Sequence, residues 1–196
     1  LPDNLKENVK KRFAREARIQ MGMEHPNIVP ILGGDLDSDP PFFLMPVATT
    51  SLDKELSDDR SLGGNFKAVL MDIIAGLEEM HSVQMCHRDL KPQNVLKFKR
   101  DGGVYYAISD FGFVSLKDST LSKLTTTGMV KGSDYYSAPE IVADLRKGNA
   151  ASDVFSLGCI LHDMVGTDER VPGREIREDG EVGWLLRACT REKLGS

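Results

Sequence analysis

Cys86-His87-Arg88-Asp89-Leu90-Lys91-Pro92-Gln93-Asn94-Val95-Leu96 gathers a carboxylate, two cations and two carboxamides on one short run around a proline. Asp89 supplies a proton acceptor. Lys91 places an ammonium beside it, and Asn94 offers an amide oxygen suited to a hard cation. A His-Arg-Asp tripeptide is common on protein surfaces, whereas the whole run through Asn94 is far more specific. Further on, Val104 to Ser109 reads as a β-rich segment and ends in Ser109-Asp110-Phe111-Gly112. A second carboxylate therefore follows a strand, with Gly112 able to take the turn behind it. Ser137-Ala138-Pro139-Glu140 is the third distinctive group.

The bulk composition narrows the class. The chain has 196 residues, 40% hydrophobic and 28% charged, and a formal net charge of -5. That describes a globular domain large enough for a real core. The acidic balance gives no electrostatic case for nucleic acid or an anionic membrane as partner. Cys86, Cys159 and Cys189 are odd in number and widely spaced, so neither a disulfide framework nor a zinc site is implied. A reducing, cytoplasmic setting is the expectation. No run of 18 apolar residues and no signal-peptide pattern occurs. No internal repeat or low-complexity segment is evident.

Taken together and in this order, the three groups resemble the signature of eukaryotic-like serine/threonine protein kinases. His87-Arg88-Asp89 to Asn94 matches the catalytic loop H-R-D-x-x-x-x-N, Asp110-Phe111-Gly112 the D-F-G motif, and Ala138-Pro139-Glu140 the A-P-E anchor. The resemblance runs from about Asn8 to the C-terminus. It implies an α+β, protein-kinase-like fold, mainly the helical C-terminal lobe with the αC helix and two strands of the N-terminal lobe. Residues 1–47 would be the N-lobe remnant and 48–196 an incomplete C-lobe. The implied reaction is transfer of the ATP γ-phosphoryl group to protein Ser or Thr hydroxyls, with ATP and Mg2+ as cofactors. Asp89 would be the base, Lys91 the phosphate-facing cation, and Asn94 and Asp110 the magnesium ligands.

The other positions follow from the same resemblance. Asn8 to Met23 reads as a helix, with Val9, Phe13, Ala17 and Gln20 on one side and Pro26 beyond its end. Within it, Glu16 takes the place of the αC glutamate that pairs with a lysine. Ile28 to Leu32 and Phe42 to Val47 read as strands joined through Gly33-Gly34-Asp35 and Asp37 to Pro41. Met45 would stand behind the adenine, Pro46 and Ala48 would form the hinge, and Leu96 would lie beneath the ring. Ser51 caps a short helix to Leu56, and Asn65 to Gln84 is a long helix whose His81 packs at its end. Val95 to Phe98 and Tyr105 to Ser109 form a hairpin turned at Arg100 to Gly103.

The activation segment would span Phe113 to Lys131. Thr125 and Thr127 would be its regulatory phosphorylation sites, with Arg88 receiving the phosphate. Ser133, in Gly132-Ser133-Asp134-Tyr135-Tyr136, would dock the substrate and favour Ser/Thr hydroxyls. Ser152 would cap a buried helix to about Val165, from which Asp153 accepts N–H groups of the catalytic loop. Gly166 to Gly180 is too polar for more than a short helix, and Val182 to Thr190 is the last one. Glu140 would lack the arginine that pairs with it in the family.

The chain also departs from the pattern. No glycine-rich phosphate loop and no V-A-I-K lysine precede Glu16. A kinase fragment with negligible turnover by itself is the expectation, and a pseudokinase acting as a binding or allosteric module is the alternative.

Overall fold

The computed structural model describes residues 3–111, 135–144, 147–167 and 169–191. Thr125, Thr127, Ser133 and Gly112 lie outside them. Helix α1 spans Asp3–Met21. It begins earlier than the apolar pattern indicated, because polar residues extend it, and ends at Met21 before a turn at Gly22. Ala14, Ala17 and Gln20 are its buried positions, while Val9 is 57% exposed. Phe13 instead stacks on Phe43 with ring centroids 5.0 Å apart.

The strand expected over Ile28–Leu32 is reduced to a single parallel bridge, Ile28 to Ile108. Pro30 has no N–H to continue a ladder. Pairing resumes at β1 (Gly33–Asp35), which runs antiparallel to β2 (Phe42–Leu44). The glycines expected to connect the strands are thus part of one. Gly34 is needed there, since a Cβ would overlap the Phe42 carbonyl and Phe43 Cα.

A second sheet has the order β3-β4-β5, from Thr50–Ser51, Val95–Arg100 and Gly103–Ile108, all antiparallel. Helix α2 (Leu52–Asp58) starts at Ser51, whose hydroxyl accepts the Lys54 N–H. Helix α3 (Phe66–Ser82) buries Val69, Ile73, Gly76, Leu77 and Met80. Gly76 is a close-approach position: a Cβ would sit 2.6 Å from the Asn27 carbonyl oxygen. Short helix α4 (Pro139–Ala143) opens on Pro139, at a position that needs no N–H.

Helix α5 (Ala150–Val165) starts two residues before Ser152. Its cap is Asn149, whose Oδ1 accepts the Ala151 N–H at 2.8 Å, while Ser152 Oγ accepts the Asn149 N–H at 3.1 Å. Both ends of a capping box are therefore present. Ser152 Oγ also donates to Glu140 Oε1 at 2.6 Å, so Glu140 has a partner that the sequence did not suggest. The C-terminal carbonyls of α5 need donors as well. Arg60 provides them, with Nε on Asp163 O at 2.7 Å and a terminal nitrogen on Gly166 O at 3.1 Å. No helix occurs between α5 and α6 (Gly180–Thr190) among the described residues. The two helices touch at Gly158, where a Cβ would be 2.7 Å from Cys189 Cβ.

The main core joins α2, α3, the β4–β5 hairpin and α5 through Leu52, Ile73, Leu77, Val95, Ile108 and Ile160. A smaller cluster of Met23, Ile28, Met80 and Phe111 ties the end of α1 to α3. No helix of the described residues is long and apolar enough to cross a membrane.

Candidate active site

The loop Cys86–Asn94 is suspended from α5. Asp153 lies in that helix's first turn, where the backbone dipoles favour an anion, and it is fully buried. Its Oδ2 accepts the His87 N–H at 2.9 Å and its Oδ1 the Arg88 N–H at 2.8 Å. His81 at the end of α3 places Nε2 2.8 Å from Oδ2. A buried carboxylate needs such partners, and here they come from two helices and the loop. His81 is thus a packed helix-end residue, as expected.

His87 passes this order towards the second carboxylate. Its Nδ1 accepts the Asp89 N–H at 3.3 Å, so Nε2 carries the proton and donates to the Ser109 carbonyl at 3.0 Å. The Ser109 N–H and hydroxyl both bond the Asn94 carbonyl, at 2.8 and 3.1 Å. Asp110 is the next residue. Arg88 (φ 66) and Asp110 (φ 61) both adopt left-handed backbone, uncommon outside glycine. Such strain persists where the surroundings over-determine it, and the anchors at Asp153 and Ser109 do so.

Around Asp89 the geometry is compact. Lys91 Nζ lies 2.7 Å from Asp89 Oδ2. Asn94 sits in the 3-10 turn Pro92–Asn94 and donates its amide to the Asp89 carbonyl at 2.9 Å, with Asp89 Oδ2 at 3.4 Å. That leaves Asn94 Oδ1 without a donor among the described residues. The Asn94 amide oxygen, the Asp89 carboxylate that the Asn94 amide approaches and the carboxylate of Asp110, next to the Asn94-bonded Ser109, are all hard oxygen donors of the type that suits Mg2+. The residues present therefore fit the implied ion.

Two of the proposed nucleotide-contacting residues share one apolar cluster. Ala48 and Leu96 pack against Val29, Phe98 and Ala107. The Thr49 N–H donates to Lys97 O at 2.8 Å, fixing the segment after Ala48 against β4. Met45 and Pro46 follow β2. Gln20 Nε2 lies 3.9 Å from Met45 Sδ and donates to the Val29 carbonyl at 2.6 Å, so α1 is bonded to this region directly. Glu16 is half-buried one turn earlier on α1. Phe111 packs with Ile19 and Met23 at the end of α1 and lies 5.7 Å from the His87 ring.

A family model described as "Protein kinase domain" matches residues 2–183. The chain belongs to the protein kinase domain family. Among curated proteins, this kinase domain is 33% identical over 159 residues to "Serine/threonine-protein kinase 36" of Pongo abelii, covering 80% of the chain and 12% of that protein. It is 30% identical over 212 aligned positions to "Serine/threonine-protein kinase PknD" of Chlamydia pneumoniae, covering 91% and 22%. To "DNA damage-responsive serine/threonine-protein kinase RqkA" of Deinococcus radiodurans it is 35% identical over 170 residues, covering 82% and 24%. The chain thus spans 12–24% of the length of these relatives.

Some of the site's supports had no sequence signal. Gln20 was placed on the side of α1 with Phe13 and Ala17, but its bond to the Val29 carbonyl had no signal. Arg170, in a polar stretch, grips Asp163 with two nitrogens at 3.2–3.3 Å and bonds the Tyr135 carbonyl. Its guanidinium stacks 3.9 Å over the Tyr135 ring and 4.6 Å over Tyr136. The Tyr136 hydroxyl donates to Asp163 at 2.6 Å, and burial, with that bond, pushes its pKa far up. This cluster fixes the residues leading into Ser137-Ala138-Pro139-Glu140. Only the pair of tyrosines before that motif could have drawn attention to it.

Proposed function

We propose that this kinase domain is the catalytic half of an ATP-dependent serine/threonine protein kinase, moving the γ-phosphoryl group to a protein Ser or Thr hydroxyl. The observation that carries the reading is the Asp89–Lys91–Asn94 constellation, hung on Asp153 and joined to Asp110 through Ser109. Phosphoryl transfer asks the protein mainly for positioning and charge stabilisation, and this loop offers both. Asp89 takes the proton of the incoming hydroxyl as the new O–P bond forms and the bond to the ADP leaving oxygen breaks. Lys91 holds the migrating phosphoryl against that carboxylate. Asn94 and Asp110 would hold Mg2+, which when bound neutralises phosphate charge.

In the same reading Met45, Pro46, Ala48 and Leu96 enclose the adenine, and Glu16 is the αC glutamate of the ion pair with a lysine. Ser133 docks the acceptor. Arg88 receives a phosphate on Thr125 or Thr127: its buried Nε has no partner among the described residues. Residues 1–47 serve as the N-lobe portion and 48–196 as the C-lobe portion. The relatives' printed names support the Ser/Thr class. The three cysteines are free thiols, which supports a reducing, cytoplasmic setting.

The test is transfer of labelled phosphate from ATP to a basic Ser/Thr-containing protein by the chain joined to upstream strands bearing a glycine-rich loop and lysine. Asp89→Asn and Asp110→Asn are each expected to lower the rate at least about a hundredfold. Wild-type rates in either variant would refute the assignment. Nucleotide binding with no turnover in any form would make the domain a binding module instead.

A further inference from the structure

The anchor of the catalytic loop also gathers three atoms of metal-ligand type. A ring nitrogen of His81, the Cys86 Sγ and a carboxylate oxygen of Asp153 all lie within 4.8 Å of one another. Each comes from a different element: His81 from the last turn of α3, Cys86 from the head of the loop, Asp153 from the first turn of α5. No short spacing links the three, so the cysteine pattern carried no hint of a site. Among the described residues this is the one such convergence of three histidine, cysteine or acidic side chains.

The bonds already made by these groups leave the ligand atoms together. Asp153 Oδ1 takes the Arg88 N–H, whereas Oδ2 meets both the His87 N–H and His81 Nε2. Burial first, and the Asp153 charge second, push the Cys86 thiol up, with Arg88 pulling the other way. A thiolate and a carboxylate so close repel each other unless a cation stands between them. The His81 side chain is 22% exposed and Cys86 is half-buried, so an ion has a way in past these two to the fully buried Asp153.

We propose that His81, Cys86 and Asp153 form a binding site for one zinc ion, separate from the proposed Mg2+ position at Asn94 and Asp110. Thiolate sulfur and imidazole nitrogen select such a cation over Mg2+. Zinc holds these ligands at about 2.0–2.3 Å, which spaces them about 3.3–3.6 Å apart in a tetrahedron. His81 and Asp153, now 2.8 Å apart, part slightly as the ion replaces the proton between them. That proton moves to Nδ1 of the neutral imidazole and the thiol proton goes to water. The thiolate and carboxylate then cancel the charge of the ion. The fourth position is left for water. Asp153 keeps its N–H bonds to the loop, since ligating carboxylates are themselves hydrogen-bonded. The ion ties α3, the loop and α5 at one point.

The experiment titrates the 196-residue chain with Co2+ as a spectroscopic probe and then with Zn2+, in a non-thiol reductant and without nucleotide. One Co2+ per chain is expected to give a thiolate-to-metal charge-transfer band, which Zn2+ removes by displacement and excess Mg2+ does not. Zn2+ above its Kd is expected to raise Tm. Cys86→Ser should abolish the band, and His81→Gln should lower zinc affinity at least about tenfold. Cys189→Ala should retain both band and affinity. A band absent from the wild-type chain, kept in Cys86→Ser or lost in Cys189→Ala overturns the proposal, as does zinc affinity unchanged in His81→Gln. Every readout is one of binding, so the phosphoryl-transfer reading stands or falls separately.

Discussion

Replacing Asp153 by alanine tests how the catalytic loop is held. The substitution leaves two buried donors, the N–H groups of His87 and Arg88, with no acceptor at their present positions. Each buried donor left unpaired costs about 1–3 kcal/mol, so the loss is about 2–6 kcal/mol before any effect of the missing His81 contact. At the middle of that range, a domain of this size would lose roughly 8–16 °C in Tm. Asp153→Asn keeps one acceptor oxygen and turns an NH2 towards the other N–H, so it should cost about half as much. The strain at Arg88 should relax as well, because that residue's left-handed backbone is tied by the same carboxylate. Urea unfolding gives the stability change, and hydrogen exchange reads the His87 and Arg88 amides individually. Both amides should lose protection in the alanine variant. A change under about 1 kcal/mol with both amides still protected would refute the view that α5 suspends the loop.

Gly158→Val should separate α5 from α6, since even a Cβ would fall 2.7 Å from Cys189 Cβ and 2.8 Å from Thr190 Cγ2. The expected cost is about 1–3 kcal/mol by urea denaturation, and a fully neutral variant would contradict the contact. Burial pushes the Cys159 thiol from 9.0 up to about 12, with Asp163 adding to the rise and Arg170 opposing it. The unfolded thiol ionises near 9 while the folded one stays protonated, so stability should fall as pH rises between those values. The slope contributed by this group approaches about 1.4 kcal/mol per pH unit. Cys159→Ala should flatten that alkaline fall, and equal slopes in both proteins would count against it. Thr125 and Thr127 should carry phosphate after ATP treatment of the chain with its upstream strands restored. Mass spectrometry finding neither, with full activity in Thr125→Ala/Thr127→Ala, would exclude them as regulatory sites.

The chemistry of this domain was easier to read than its frame. The catalytic-loop and Asp110 assignments rest on short, dense chemical patterns, and the β4–β5 hairpin, dictated by its Gly102-Gly103 turn, stands where the sequence put it. Asp153 was legible as a carboxylate below the loop. The capping role assigned to Ser152 moved to Asn149, because a capping box uses both residues and its hydrogen bonds decide which is the cap. In the N-terminal part the reading was coarser. Val9 continued the apolar spacing of α1 yet is exposed, and Ile28–Leu32 looked like a strand yet pairs at one residue. Both depend on what packs alongside, which periodicity does not report. Arg60 and Arg170 were invisible for the same reason: Arg60 reaches 103 residues along the chain to an α5 carbonyl, and Arg170 reaches 35 to the Tyr135 carbonyl.

The left-handed backbone at Asp110 governs which substitutions there can be interpreted. Asparagine and aspartate share a tolerance for that conformation, while alanine does not. An alanine at this position would remove the proposed ligand oxygen and also push the chain away from φ 61, so any loss would mix the proposed metal chemistry with a displaced Phe111. Asparagine holds the turn and cancels only the charge. A glycine would do the reverse experiment, keeping the turn cheap while deleting the side chain entirely. The pair of variants therefore separates two explanations that a routine alanine scan would merge.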